Sequence, residues 1–206
     1  MVTQTLIANS PTSPYEPPLL GAYSKKIGIW LFLLSDTLTF ATLLFAYTYG
    51  RISAGSAWPT PFDGHSILNA TGMTAVLLTS SLTMVMAVRA ATAGQIVQQR
   101  QWLLATIGCG IGFIVLHLRE WQSLIASGVT PNANPFGAAQ FGGTFFTLTG
   151  MHMLHVAIGV VILSLIALRK KYSAQAVEVA GLYWHFVDLV WMFIFPLVYL
   201  MSAKVH

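Results

Sequence analysis

The chain has 206 residues, 55% of them hydrophobic and only 8% charged, where a soluble domain carries about 25% charged residues. That deficit excludes an ordinary soluble domain and points to the membrane. The net charge of +4 is spread out with no basic cluster interleaved with aromatics, which argues against a nucleic-acid partner, and the single cysteine, Cys109, excludes an internal disulfide or a cysteine-based metal cluster.

Residues 1–24 are polar and rich in proline (Pro11, Pro14, Pro17, Pro18), as in an extended or disordered cytoplasmic tail. No basic start leads into a short apolar core, so no cleavable signal peptide is expected. Residues 25–206 form the second unit. Five apolar segments follow at 27–50, 66–90, 102–126, 140–168 and 179–203, each long enough to cross a hydrocarbon layer of roughly 30 Å as a helix. None alternates as a membrane β-strand does, and the fourth is the longest. The expected fold is all-α: a polytopic membrane protein built as a bundle of five transmembrane helices. Lys25, Lys26, Arg89, Arg100, Arg169, Lys170 and Lys171 fall on one side of the five crossings, Arg51 and Lys204 on the other. The positive-inside rule then puts the N-terminus in the cytoplasm and the C-terminus outside. The proline-bearing stretches 58–61 and 131–135 become external loops, where proline ends the flanking helices.

An ionisable residue in mid-bilayer is costly and faces a protein partner rather than lipid. In the first segment Asp36 lies nine residues past Ile27, on the order of 14 Å in. Gly28, Phe32, Ser35, Thr39, Thr42 and Ala46 share its side, a stripe typical of a packed membrane interface. Two readings stay open for Asp36: a satisfied interface residue, or a proton-exchanging site. In the third segment Gly108 and Gly112 form a GxxxG pair, which permits close helix crossing. His117, Arg119 and Glu120 come near its outer end, where Arg119 and Glu120 read as structural pairing residues. The fourth carries His152 and His155 on one face with Thr144, Leu148 and Gly159. The fifth reads GLYWHFVDLVWMFIFPLVYL from 181 to 200, with His185 and Asp188 at i, i+3 and so able to bond each other. Asp36, His152, His155, His185 and Asp188 fall at similar depth, so a polar layer joining the first, fourth and fifth helices is expected. The histidines alone leave room for a bis-histidine haem or a two-histidine metal site, and hence for a haem-binding membrane anchor. A proton-coupled transporter is the other competing class.

Three stretches carry a resemblance. Residues 183–200, YWHFVDLVWMFIFPLVYL, closely resemble the last transmembrane helix of subunit III of the haem-copper oxidases. GTFFTLTGMHMLHVAIGV at 143–160 resembles the preceding helix, and IGIWLFLLSDTLTFATLLFAY at 27–47 the family's Trp-Leu-Phe…Ser-Glu…Phe helix. The match runs in order over most of 27–203. The five-helix plan resembles the short bacterial form; longer members add two N-terminal helices that help build a V-shaped, lipid-filled cleft.

The resemblance implies a non-redox accessory subunit of a terminal oxidase that reduces oxygen to water and pumps protons. Such a subunit binds subunit I and supports proton uptake during turnover. No catalytic, cofactor or metal residue is implied in this chain: haem and copper belong to the partner subunits I and II. Bound phospholipid, membership of a respiratory supercomplex and a bacterial plasma membrane location are further expectations. Asp36 takes the place of the family's buried, carbodiimide-reactive glutamate, one methylene shorter. Glu120, in His-Leu-Arg-Glu-Trp, matches an acidic residue of the third-from-last helix. His152, His155, His185 and Asp188 match family positions and read as polar residues that set helix packing. A subunit-III-like protein of nitric oxide reductase shares the last-helix pattern and is the near alternative.

Overall fold

The computed structural model describes residues 18–138, 140–169 and 173–202, with side chains from residue 26 onward in the first helix. Most of the expected tail (residues 1–17), Lys170, Lys171, Lys204 and the extreme C-terminus lie outside the described residues. Five helices long and apolar enough to cross a membrane are present: α1, Pro18–Ala54; α2, Gly64–Thr92; α3, Ile96–Ala126; α4, Gln140–Leu168; and α5, Ala174–Ile194, which continues as a π-helical turn, Phe195–Leu200. No strand element occurs among the described residues. Inside a bilayer a helix is one of the two ways to satisfy every backbone group within the protein.

The helices run further than hydropathy alone indicates. α1 has 37 residues and begins at Pro18, inside the stretch expected to be tail; it, and not the fourth helix with 29, is the longest. Proline lacks an N–H, which the first turn of a helix does not need. α2 starts after Asp63, whose side chain accepts the Ser66 N–H at 2.9 Å, and α5 after Ser173, whose hydroxyl accepts from Ala176 N. Both are side-chain N-caps. Near its end α5 widens: Pro196 brings no N–H, and Met201 N reaches back five residues to Pro196 O at 3.0 Å. The irregularity follows from the missing donor.

The α2–α3 link is a tight turn at Ala93–Gln95 in which Gly94 takes φ +70°, and these two helices share the largest interface in the bundle. α5 is central, packing on α1, α2 and α4. Its Trp184 enters a slot made by two glycines of neighbouring helices. A Cβ on Gly110 of α3 would stand 2.7 Å from the Trp184 ring, and one on Gly159 of α4 would stand 2.8 Å from it. The close approach is therefore at Gly110. At Gly108 and Gly112, the GxxxG pair, an added Cβ would meet nothing within 4 Å. Gly108 faces outward because it lies about 160° around the helix from Gly110.

The end of the bundle at which α1 starts is called proximal, the other distal. The distal end is closed by aromatic rings. Trp58 and Phe62 from the α1–α2 link are buried against Tyr47, Phe141, Phe145 and Tyr199, with Phe62 and Tyr199 centroids 4.7 Å apart. The two distal loops are tied together by Ala138 N donating to Ala57 O at 2.9 Å. Arg51 holds α1 to the end of α5, donating to Ser202 Oγ at 3.1 Å and to Met201 O. At the proximal end Lys26 of α1 meets Glu178 of α5 at 2.8 Å.

Candidate functional site

The polar residues of the membrane interior divide into three groups. The first joins α1 to α4. Asp36 Oδ2 lies 3.1 Å from His155 Nε2, and His155 Nδ1 lies 2.8 Å from Met151 O. A carbonyl only accepts, so Nδ1 carries a proton. The Nε2–Oδ2 contact then needs a second proton, either on Nε2 as imidazolium or on Oδ2 as carboxylic acid. In both cases the pair is neutral overall, which suits a low-dielectric site. Phe40 stacks edge-on to His155, centroids 5.1 Å apart, and Tyr183 of α5 donates from its hydroxyl to His155 O at 3.1 Å. Asp36 is thus paired, and through Tyr183 the layer reaches α5.

The stripe assigned to the side of Asp36 faces outward, although the Phe32 ring lies 6.2 Å from that of Tyr183. Gly28, Phe32, Ser35, Thr39, Thr42 and Ala46 are all exposed on the protein surface. α1 turns its bulkier row inward instead: Leu33, Phe40 and Tyr47 are buried. Thr39 and Thr42 need no partner helix, since each hydroxyl donates to its own helix's carbonyl four residues back.

The second group joins α5 to α2. His185 Nδ1 lies 2.8 Å from Ser81 Oγ. The expected His185–Asp188 bond is not made: the buried Asp188 carboxyl also faces Ser81 of α2 instead. Side chains at i and i+3 still diverge by about 60° around a helix, and here His185 bonds a hydroxyl of α2. These two residues therefore belong with α2 rather than with the Asp36 layer. The tryptophans beside them point the same way. Trp184 Nε1 donates to Ser80 Oγ and Trp191 Nε1 to Thr74 Oγ1, each at 3.0 Å.

The third group lies among α2, α3 and α4. Glu120 is turned inward, accepting from Asn69 Nδ2 at 2.9 Å, while Arg119 is exposed, so the two are not an ion pair. His117 and His152 are fully buried. Phe113 lies 5.6 Å from each ring, and Trp191 lies 5.6 and 5.2 Å from them. Among the described residues no three His, Cys, Asp or Glu side chains are gathered as a metal would need.

Comparison with known proteins decides what this arrangement belongs to. Residues 21–203 match the family model of cytochrome c oxidase subunit III. The chain belongs to that family. It is 38% identical over 201 residues to cytochrome c oxidase subunit 3 of Bacillus subtilis, with 93% of each chain covered. It is 36% identical over 200 residues to that of Alkalihalophilus pseudofirmus, covering 94% of each. A probable cytochrome c oxidase subunit 3 of Mycobacterium tuberculosis is 32% identical over 180 residues, covering 84% of this chain and 86% of the relative. The motifs at 27–47, 143–160 and 183–200 are thus members of a match that spans all five helices. A subunit III is an accessory, non-redox part of a terminal haem-copper oxidase, and this chain is an integral membrane member of the family, with five helices long and apolar enough to span among its described residues.

Several working contacts escaped the sequence. Asn69, Ser80, Ser81 and Thr74 on α2 are the partners of Glu120, Trp184, His185 and Trp191. The available signal was the seven-residue spacing of Trp184 and Trp191, two indole N–H groups on one apolar face that each require an acceptor.

Proposed function

We propose that this chain binds subunits I and II of an oxygen-reducing, proton-pumping oxidase in a bacterial plasma membrane and supports proton uptake there without carrying haem or copper. The observation that supports this most is the family match across residues 21–203, joined by relatives that share 93–94% of their length and are named cytochrome c oxidase subunit 3. Those names favour the oxygen enzyme over a nitric oxide reductase, and no geometry here favours a haem anchor or a transporter.

The proximal end is the cytoplasmic one in this reading. Lys26, Arg89, Arg100 and Arg169 lie there, against Arg51 and Arg119 toward the distal end. Asp36, Glu120, His152, His155, His185 and Asp188 act as polar residues that set helix packing. Asp36 takes the position of the family glutamate, held by His155. Phospholipid fits the groove between α1 and α5, about 770 Å³, whose walls include Trp30, Leu34, Phe186, Leu189 and Phe193; acyl chains suit such a lining. Membership of a respiratory supercomplex is part of the same reading.

The test is a mild-detergent pulldown through a tag on the N-terminus, with mass spectrometry of the partners. Co-purification of oxidase subunits I and II is expected. A nitric-oxide-reductase partner, or a chain that comes down alone, would overturn the reading.

A further inference from the structure

The groove between α1 and α5 carries one feature that acyl chains leave unused. Its walls include Trp30, Thr37 and Phe40 of α1 and His185, Phe186 and Phe193 of α5. His185 spends Nδ1 on Ser81 Oγ at 2.8 Å, and its Nε2 has no hydrogen bond among the described residues. Nε2 is therefore the nitrogen left for a molecule in the groove. On the opposite wall the Thr37 hydroxyl gives its proton to Leu33 O at 2.7 Å and can still accept one bond.

Depth narrows the choice of occupant. His185 stands eleven residues past Ala174, where α5 begins, on the order of 17 Å along a helix. In mid-membrane no water is at hand, and a polar nitrogen left without a partner is costly. Trp30, Leu189 and Phe193 are 55–60% exposed, so the groove opens sideways onto the hydrocarbon. A phospholipid carries its hydrogen-bonding groups at the membrane surface and offers only methylenes at this level. The occupant that answers Nε2 has a hydrogen-bonding oxygen in mid-membrane, enough apolar surface to enter from lipid, and a flat face for four aromatic side chains. A lipid-soluble quinone has all three: a planar ring with an oxygen at each end, and an isoprenoid tail. The volume, about 770 Å³, is that of a small-molecule site.

Ser81 fits the site to both redox forms of such a ring. Its single proton has two destinations, His185 Nδ1 and the Asp188 carboxyl that faces the same hydroxyl. With the proton on the Nδ1 side, Nδ1 accepts and Nε2 bears the ring hydrogen, which suits a quinone carbonyl. With the proton toward Asp188, Nδ1–H donates to Ser81 and Nε2 is bare, which suits a quinol hydroxyl.

We propose that the α1–α5 groove is a binding site for a lipid-soluble quinone or quinol, with one ring oxygen on His185 Nε2 and Ser81 setting the imidazole tautomer. This goes beyond the phospholipid reading of the same groove, which acyl chains fill when the ring is absent. The site holds the ring and passes no electron.

The test is solid-state NMR on the assembly in which this chain purifies, with ¹⁵N-histidine in this chain, in phosphatidylglycerol bilayers free of quinone, titrated with decylubiquinone. A saturable shift of the His185 ring nitrogens is expected, with His117 and His152 unmoved. Nε2 is the protonated nitrogen with the quinone and the bare one with the reduced quinol. His185→Leu keeps the wall apolar and weakens binding about 3–10-fold, the loss of one hydrogen bond, read by decylubiquinone competition against an azidoquinone label mapped to peptides of this chain. No shift at His185, a shift matched by dodecane, one tautomer with both forms, or equal competition in the variant each overturns the proposal. The wild-type spectra decide alone if the variant does not assemble. The readout sits on this chain's own ring, so its failure is distinct from a failed pulldown of partner subunits.

Discussion

α1 and α5 are both long apolar helices with an aspartate near mid-membrane, yet they sit in the bundle in opposite ways. α5 touches α1, α2 and α4 and sends Trp184 between α3 and α4, with Gly110 and Gly159 clearing the way. α1 lies at the edge, packed mainly on α4 with less on α5, and Trp30, Leu31, Leu38, Phe45, Tyr49 and Ile52 are each at least 60% exposed. The carboxylates follow suit: Asp36 at the edge is bonded across the interface by His155, while Asp188 in the centre is buried facing Ser81 of α2. In lipid there is no hydrophobic force between helices, so close packing and polar contacts decide which helix is central. Small residues on both sides put it there: Gly110 and Gly159 on its neighbours, and Gly181 of α5 itself against Met84 and Val88 of α2.

The comparison can be broken first at the slot. Trp184→Ala removes a fully buried indole from the junction of three helices and should cost about 3–5 kcal/mol, read as a lower midpoint of thermal unfolding in detergent. The slot can be filled from the other side. Gly110→Ala places a methyl 2.7 Å from the indole and from Val160 and should cost about 1–3 kcal/mol by overpacking. Gly108→Ala, two residues away in open space, should be neutral or stabilising by up to about 1 kcal/mol. The pair of melting curves separates packing from helix propensity.

At the edge, Asp36→Leu leaves His155 Nε2 without its partner and should lower stability by about 1–3 kcal/mol. Asp36→Asn should stay within about 1 kcal/mol of wild type, because an amide N–H can donate to a neutral His155. An equal loss in both variants would show that the pair needs a charged carboxylate. A modest loss is expected from Ser81→Ala, about 0.6–1.5 kcal/mol for one interhelical hydrogen bond in a membrane bundle, with a shift of the His185 ring signals and none at His155.

Much of the fold was legible. Five apolar runs give five helices, and three motifs give the family. Helix ends were not, because turns that leave the hydrocarbon become polar: the first turns of α5 hold Gln175 and Glu178, and hydropathy stops short of them. The N-caps Asp63 and Ser173 were the better signal. The polar site was half legible. Sequence spacing tells which residues share a face of one helix but not how that helix is rotated against its neighbours. So Asp36 meets His155 of α4 while the stripe beside it faces outward, and His185 meets Ser81 of α2 rather than Asp188. Gly110 was hidden behind the familiar GxxxG spacing of Gly108 and Gly112, since close approach depends on what the neighbouring helix brings.

The most direct test of the account is the reduced-minus-oxidised spectrum of the purified complex before and after this chain is stripped from it with detergent. The account predicts haem bands of unchanged position and amplitude in the remaining subunits and a colourless released chain. A haem band that leaves with this chain would contradict it and would return His117, His152, His155 and His185 to the role of ligands.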